Sequence, residues 1–481
     1  MPITPAYRPS QRHAELGPGF YDIVQAAEFP QAILRYRNRR WAARVGLDGL
    51  DDAEWTQHFG RFAPLPDGFP EPLALRYHGH QFQVYNPQLG DGRGFLFAQL
   101  HDRVDGRLLD LGTKGSGRTP WSRGADGRLT LKGGVRELLA SSMLEALGVD
   151  TSKTFSLIET GEELARNDEP SPTRSAVLVR LSHSHIRIGT FQRFAYHQDT
   201  ARLRRLLDHS VQTYLPDCWR EDEAARAVAF LEGVAANVAS TGAQWIAAGF
   251  VHGVLNTDNI NITGESFDYG PWRFLPDYDP GFTAAYFDEG GLYSFGRQPA
   301  TLLWNLARLA ECLLPLAPQA DLEAALVTYR PAFQRALRAA VLRRLGLRSA
   351  GPEQDGRLVE LLFGFLESSR APFEQTFFDW RGGLASADRA AASPSADFYR
   401  SEAFTPVRAA LAGYAAVADA RLDHPYFARS RPCTMLIDEV EAIWAKIAGE
   451  DDWSALARKL AAIDEVSAAH GIVIAASPEK G

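Results

Sequence analysis

Cysteine is scarce: the 481 residues hold three, Cys218, Cys312 and Cys433, far apart and without a C-x-x-C pair. That excludes a disulfide framework and a cysteine zinc cluster, and a reducing compartment is expected. No apolar run approaches the ~18 residues needed to span a bilayer. The first twenty residues carry Pro2, Pro5, Pro9, Arg8, Arg12 and Glu15 where a secretory apolar stretch would lie. A cytoplasmic protein with no membrane partner is expected. Excess positive charge is also lacking: 51 Lys plus Arg stand against 59 Asp plus Glu, a net charge of −8, so no nucleic-acid partner is expected. There is no Walker A lysine, no H-E-x-x-H, no G-x-S-x-G and no internal repeat. The H-x-H pairs His78/His80 and His183/His185 come without an evident third ligand for zinc.

What is present is a globular composition, 45% hydrophobic and 23% charged, which excludes wholesale disorder. From Leu73 to Lys114 apolar and polar residues alternate around Asp91-Gly92 and Asp105-Gly106, two dipeptides suited to tight reversals. Three antiparallel strands ending near Lys114 are expected. A loop of Gly, Arg and Ser (Gly115–Arg128) leads into a helix with Val135, Leu138, Leu139, Met143 and Leu147 on one stripe, closed by Gly148. Strands are expected again at Thr154–Ile158 and Ser175–Leu181. Beyond Thr200 the spacing turns helical, as in Val228, Leu231, Ala235 and Val238 and in Leu302, Leu306, Leu309 and Leu313. Between those helices Val251–Pro299 is irregular and rich in Gly, Asp, Asn and Tyr, the kind of segment that carries binding residues. A short disordered tail is expected at Ser477–Gly481.

Three constellations carry chemistry. In the first, Gly90, Gly92 and Gly94 alternate along a hairpin that lets backbone approach phosphates, with Arg93 among them. Lys114 follows about twenty residues on and Glu137 lies in the next helix. That order resembles a protein-kinase small lobe, in which a strand lysine grips phosphates and a helix glutamate holds the lysine. Periodicity alone points Glu137 away from the apolar stripe, toward solvent. The second constellation is His252-Gly-Val-Leu-Asn-Thr-Asp-Asn259, followed by Asp268-Tyr-Gly270. It has kinase-like spacing for two metal-holding residues, Asn259 and Asp268. The position of the usual catalytic aspartate is Val254, which cannot accept a proton, and Asp258 is the nearest carboxylate able to act as base. The third adds Arg180 and Arg187, whose guanidinium groups suit phosphate.

These segments resemble the selenoprotein O group of kinase-fold protein nucleotidyltransferases, whose bacterial members are called protein adenylyltransferases. The resemblance rests on Tyr77-His-Gly-His-Gln-Phe82, Pro87-Gln-Leu-Gly-Asp-Gly-Arg93, Lys114-Gly-Ser-Gly-Arg-Thr-Pro120, Ala125-Asp-Gly-Arg128, Ser184-His-Ile-Arg-Ile-Gly189, the 252–259 stretch and Asp268-Tyr-Gly-Pro271. It is dense from Leu73 to Pro299. It implies an α+β, bilobal kinase-like fold, with an antiparallel sheet lobe bearing one prominent helix and a larger helical lobe. The expected segments are 1–72, an extension on the small lobe; 73–195, the small lobe; 196–345, the helical lobe with the metal and catalytic loops; and 346–481, a helical extension.

The resemblance further implies that ATP lies inverted, so that its α-phosphate meets the acceptor. AMP would then pass to Ser, Thr or Tyr hydroxyls of proteins; some bacterial members transfer UMP from UTP with Mn²⁺. Carried over, Gly90, Gly92, Arg93, Lys114, Asp126, Gly127, Arg180 and Arg187 hold nucleotide, with Glu137 and Asp268 beside them. Asp258 accepts the proton, and Asn259 and Asp268 bind Mg²⁺ or Mn²⁺. The sequence departs from many members in lacking a thiol or selenol near the C-terminus, its last cysteine being Cys433. Two other readings of the same residues are a catalytically silent pseudokinase scaffold that binds nucleotide, and a conventional phosphotransferase.

Overall fold

Alternating apolar positions between residues 9 and 182 build one antiparallel sheet in the computed structural model, which describes residues 4–167 and 169–472. Its strands are β1 (Pro9–Ser10), β2 (Tyr21–Ile23), β3 (Ile33–Arg37), β4 (Leu73–Leu75), β7 (Leu96–His101), β8 (Leu108–Lys114), β9 (Leu129–Thr130), β10 (Lys153–Leu164) and β11 (Thr173–Ser182). A separate hairpin, β5 (Gly79–Gln81) and β6 (Val84–Asn86), interrupts the run between β4 and β7. The order across the sheet is β2-β4-β7-β8-β11-β10-β3, with β1 on β7 and β9 on β11. Three strands thus come from described residues 4–37, within the 1–72 stretch expected as an extension on the small lobe.

The strands expected near Lys114, Thr154 and Ser175 are present, and Asp105-Gly106 makes the reversal into β8, Gly106 having φ +77°. Asp91-Gly92 does not make a tight reversal. Gly92 keeps a φ that any residue tolerates, and the chain from β4 to β7 takes the longer excursion through β5 and β6. Asp91 closes that excursion by clasping Leu75: its N–H donates to the Leu75 carbonyl, and its Oδ2 accepts the Leu75 N–H, both at 3.0 Å.

The two-residue period of the strands sorts side chains between two cores. Phe97, Leu109, Leu111, Phe155, Val177 and Val179 face one layer, covered by α1 (Arg39–Arg44) and α2 (Asp52–Phe59) through Trp41, Trp55 and Phe59. Leu157, Ala176 and Leu178 face the other, where α3 (Leu131–Ala146) lies. Thr130 caps α3 by accepting the Gly133 N–H, and Gly148 follows its end at φ +77°.

Beyond the sheet come α4 (Ile188–Tyr196), α5 (Thr200–Tyr214), α6 (Glu223–Ala248) and α7 (Gln298–Leu313). α6 ends at the left-handed Gly249 and passes into Phe250–Val251, which pairs with Arg273–Phe274. That two-stranded clip closes the base of the irregular 252–272 loop. Later helices build a third core around Phe365, Trp380, Tyr399 and Phe404. Helix Ile437–Glu450 returns to α3, where Glu441 pairs with Lys132 at 2.7 Å. Among the described residues, no helix is long and apolar enough to cross a membrane. The tail expected at Ser477–Gly481 lies outside the described residues.

Candidate active site

Register places the cations. β8 and β11 pair Lys114 with Leu178 and Gly112 with Arg180, so the period of two puts Lys114 and Arg180 on the sheet face that α3 covers. There Glu137 of α3 meets both: Lys114 Nζ lies 2.6 Å from Oε2, and Arg180 Nε 3.3 Å from Oε1. Glu137 is 1% exposed, so the solvent-facing position that helical periodicity assigns it is wrong. Residues 137–141 of α3 are all buried, leaving that stretch no wet face for periodicity to report. A carboxylate this dry persists only with cationic partners.

The loop wall faces them. Asp268 Oδ1 lies 2.9 Å from Lys114 Nζ and 3.4 Å from an Arg180 guanidinium nitrogen, while its Oδ2 accepts from Asn259 Nδ2 at 3.0 Å. Asp268 sits at φ +64°, a conformation uncommon outside glycine that turns its carboxylate toward the cations. Backbone bonds fix the loop against the ends of β10 and β11: Ile188 N–H donates to Ile260 O, Ile262 N–H to Ile186 O, and Ser152 N–H to Ser266 O. Arg187, buried between the Tyr77 and Phe267 rings, donates to the Asp258 carbonyl at 2.9 Å and pairs with Asp91 at 3.3 Å. Val254 packs against the main core, so the apolar residue at that motif position is a structural one.

Two aspartates ten residues apart acquire opposite character. Burial alone would raise Asp268, but Lys114, Arg180, Arg187 and Arg93 together hold it well below the usual carboxylate range. Asp258 is pushed up to about 6, chiefly by burial, with Arg187 drawing it down and Asp268 pushing it further up. A carboxylate at that value is ionised at neutral pH yet basic enough to take a proton. Its Oδ1 is buried and has no hydrogen-bond partner among the described residues, and the same is true of Asn259 Oδ1. A free amide oxygen beside a firmly ionised carboxylate is a donor pair suited to a hard divalent cation, whose other ligands would be phosphate and water oxygens.

Lys114, Glu137, Arg180, Arg187, Asp258, Asn259 and Asp268 therefore converge, and Arg93 is close enough for its charge to act on Asp268. Residues 90–94 form a loop and not the expected hairpin, and its glycines are required by packing: a side chain at Gly90 would strike the Trp121 ring, and one at Gly92 the Trp121 carbonyl. Asp126 is held by Arg166 at 2.8 Å and by the Arg128 N–H, with Gly127 next to it at φ +70°. Asp126 lines a cleft of 780 Å³ with Arg118 and Arg128, and among the described residues it makes no hydrogen bond or ion pair with the Lys114 cluster. Sequence reasoning missed Asp91 as the partner of Arg187, having seen only a turn. It also missed Thr257, which accepts the His80 N–H at 2.7 Å and donates to Gln192 at 2.6 Å, tying the β5–β6 hairpin to the loop. The H-x-H motif was the available signal.

A family model described as protein adenylyltransferase SelO matches residues 4–464. The chain belongs to the SelO family. The protein nucleotidyltransferase YdiU of Gloeobacter violaceus is 46% identical over 451 residues, 92% of this chain and 91% of that protein. The YdiU protein of Trichodesmium erythraeum is 43% identical over 455 residues, 91% of this chain and 94% of its own. That of Synechocystis sp. is 51% identical over 354 residues, 73% of each chain. SelO membership thus extends over the sheet, the site and most of the later helices.

Proposed function

We propose that this chain is a protein nucleotidyltransferase that moves AMP from ATP to Ser, Thr or Tyr hydroxyls of proteins and releases pyrophosphate. The observation that carries the reading is the pairing of an apolar Val254 with a buried Asp258 held at about 6 beside Asn259. The familiar base position is gone, and another carboxylate is prepared next to the candidate metal ligand. UTP in place of ATP would give UMP by the same steps. The matching family and relatives, all named as nucleotidyl- or adenylyltransferases, support the class of reaction.

In this reading the sheet region and the 196–345 helices form the two lobes of a kinase-like fold, with 346–481 as an extension and the triphosphate between the lobes. Lys114, Arg93, Arg180 and Arg187 grip phosphates through charge-assisted hydrogen bonds, and Gly90, Gly92, Asp126 and Gly127 contact the nucleotide. Asn259 and Asp268 hold Mg²⁺ or Mn²⁺, which when bound neutralises phosphate charge. Asp258 takes the proton as the hydroxyl oxygen bonds to the α-phosphorus. The bond from that phosphorus to the bridging oxygen breaks, and pyrophosphate carries away the electron pair.

The test is ATP labelled at either the α or the γ phosphate, incubated with the protein and with acceptor proteins. Label retained only from the α position is expected. Retention only from the γ position would make the chain a phosphotransferase, and retention from neither would make it a silent scaffold.

A further inference from the structure

Four large apolar side chains stay exposed beside the catalytic loop: Phe82 at 37%, Val84 at 70%, Tyr286 at 83% and Phe287 at 47%. Three of them touch in series, Phe82 meeting Phe287 at 5.8 Å between ring centroids and Phe287 meeting Tyr286 at 5.1 Å. Val84 follows Phe82 across the β5–β6 turn. Phe82 and Gln83 both take positive φ, 49° and 63°, a costly conformation for a bulky residue. The turn keeps it because the surroundings hold Phe82 in place. Its N–H donates to Asn256 Oδ1 at 3.1 Å and to the Tyr293 hydroxyl at 3.2 Å, and its ring packs on Tyr293 at 4.9 Å. Tyr293 donates in turn to Asn256 Oδ1 at 2.6 Å.

These bonds join the aromatic surface to the proton acceptor. Asn256 stands two residues before Asp258, and the start of the same hairpin lies against it: a Cβ on Gly79 would sit 3.1 Å from Asp258 Oδ1. A hydroxyl must come within hydrogen-bond reach of that carboxylate to give up its proton. The polypeptide bearing it then continues over the neighbouring surface at ~3.3 Å per residue, toward the hairpin turn that Asn256 ties to the same loop. Contiguous exposed apolar surface marks an interaction site.

We propose that the Phe82–Val84–Tyr286–Phe287 surface seats the acceptor polypeptide, taking an aliphatic or aromatic side chain that neighbours the modified hydroxyl residue. This rests on the nucleotidyl-transfer reading, but binding can be measured without transfer. The probes are two fluorescent peptides with one central Ser, flanked by Leu and Phe in one and by Gly in the other. The wild-type protein should bind the apolar-flanked peptide roughly tenfold more tightly, as expected for partial burial of one or two such side chains. The double variant Tyr286→Ser/Phe287→Ser should bind both peptides alike while keeping ATP affinity and thermal midpoint, and Val84→Ser should lower the preference by itself. Equal binding of the two peptides to wild type overturns the proposal. So does a preference that survives in both variants. A wild-type dimer in sedimentation that the double variant dissolves, with no peptide preference, would assign the surface to a second copy of the chain and also overturn it. Absence of α-label transfer to any acceptor would instead sink the transfer reading, leaving the binding result to decide this one.

Discussion

On the sheet wall, Lys114 and Arg180 are set by strand register and enclosed by apolar packing, with Glu137 delivered by a helix buried on nearly every side. On the loop wall, Asp258, Asn259 and Asp268 lie in mostly irregular chain held by backbone hydrogen bonds, by the Phe250–Val251 clip and by the buried side chains of Leu255, Ile260, Ile262 and Phe267. The first wall is part of the core, and a change there is felt by the whole fold. The second is anchored by apolar residues interspersed with its polar ones, Leu255, Ile260 and Ile262 among them, so a change confined to Asp258 or Asn259 leaves that anchoring in place. Stability and chemistry are thus divided between the walls.

The sharpest way to break this division is Asp268→Ala. Metal-dependent transfer should vanish, with α-label counts at background, while circular dichroism stays native; undiminished transfer would remove Asp268 from the site. Next, Asp258→Asn should lower kcat by ~10²–10⁴-fold, the usual size of a general-base contribution, and leave ATP binding in place. The pH profile sharpens the same point. Asp258 accepts a proton only when ionised, so with its value pushed up to about 6 the wild-type rate should fall as pH drops through 6, and the residual rate of the variant should lack that limb. An acid limb unchanged in Asp258→Asn would assign the titration elsewhere.

Glu137→Ala tests the sheet wall. Removing one partner of a buried ion pair costs about 3–5 kcal/mol, so thermal or urea unfolding should show a loss that Asp258→Asn does not. A melting curve like wild type would deny the distinction between the walls. The smallest effect is expected at Asp91→Asn, where Arg187 keeps its bond to the Asp258 carbonyl but loses its charged partner. KM for ATP should rise a few-fold, up to about tenfold, with kcat little changed, since one charge-assisted contact is worth roughly 1.5 kcal/mol or somewhat more. A fall in kcat alone would mean that Asp91 acts on the reacting groups.

Much of the sheet region was legible because strands announce themselves by two-residue alternation, as Phe95–Leu100 and Leu109–Thr113 do. The short strands at Pro9–Ser10, Tyr21–Ile23 and Ile33–Arg37 carried too little pattern to read, and their place on the sheet depends on partners far along the chain. The lysine, arginine and asparagine positions could be named from motif spacing. Glu137 could be named only from the order of elements, since helical periodicity assumes one wet face and α3 has none near it. Asp91 looked like half of a turn because the Asp-Gly pair is a local signal, and its partner Arg187 is nearly a hundred residues away.

By itself the sequence determined the local elements, the spacing of the loop carboxylates and the absence of a base at Val254. Only the tertiary structure decided that Asp268 is held ionised and Asp258 lifted to about 6. The reason is physical: residue type sets the reference proton affinity, but the shift comes from lost solvent and from the charges brought alongside. Those charges belong to Lys114, Arg180 and Arg187, which folding alone places next to the loop.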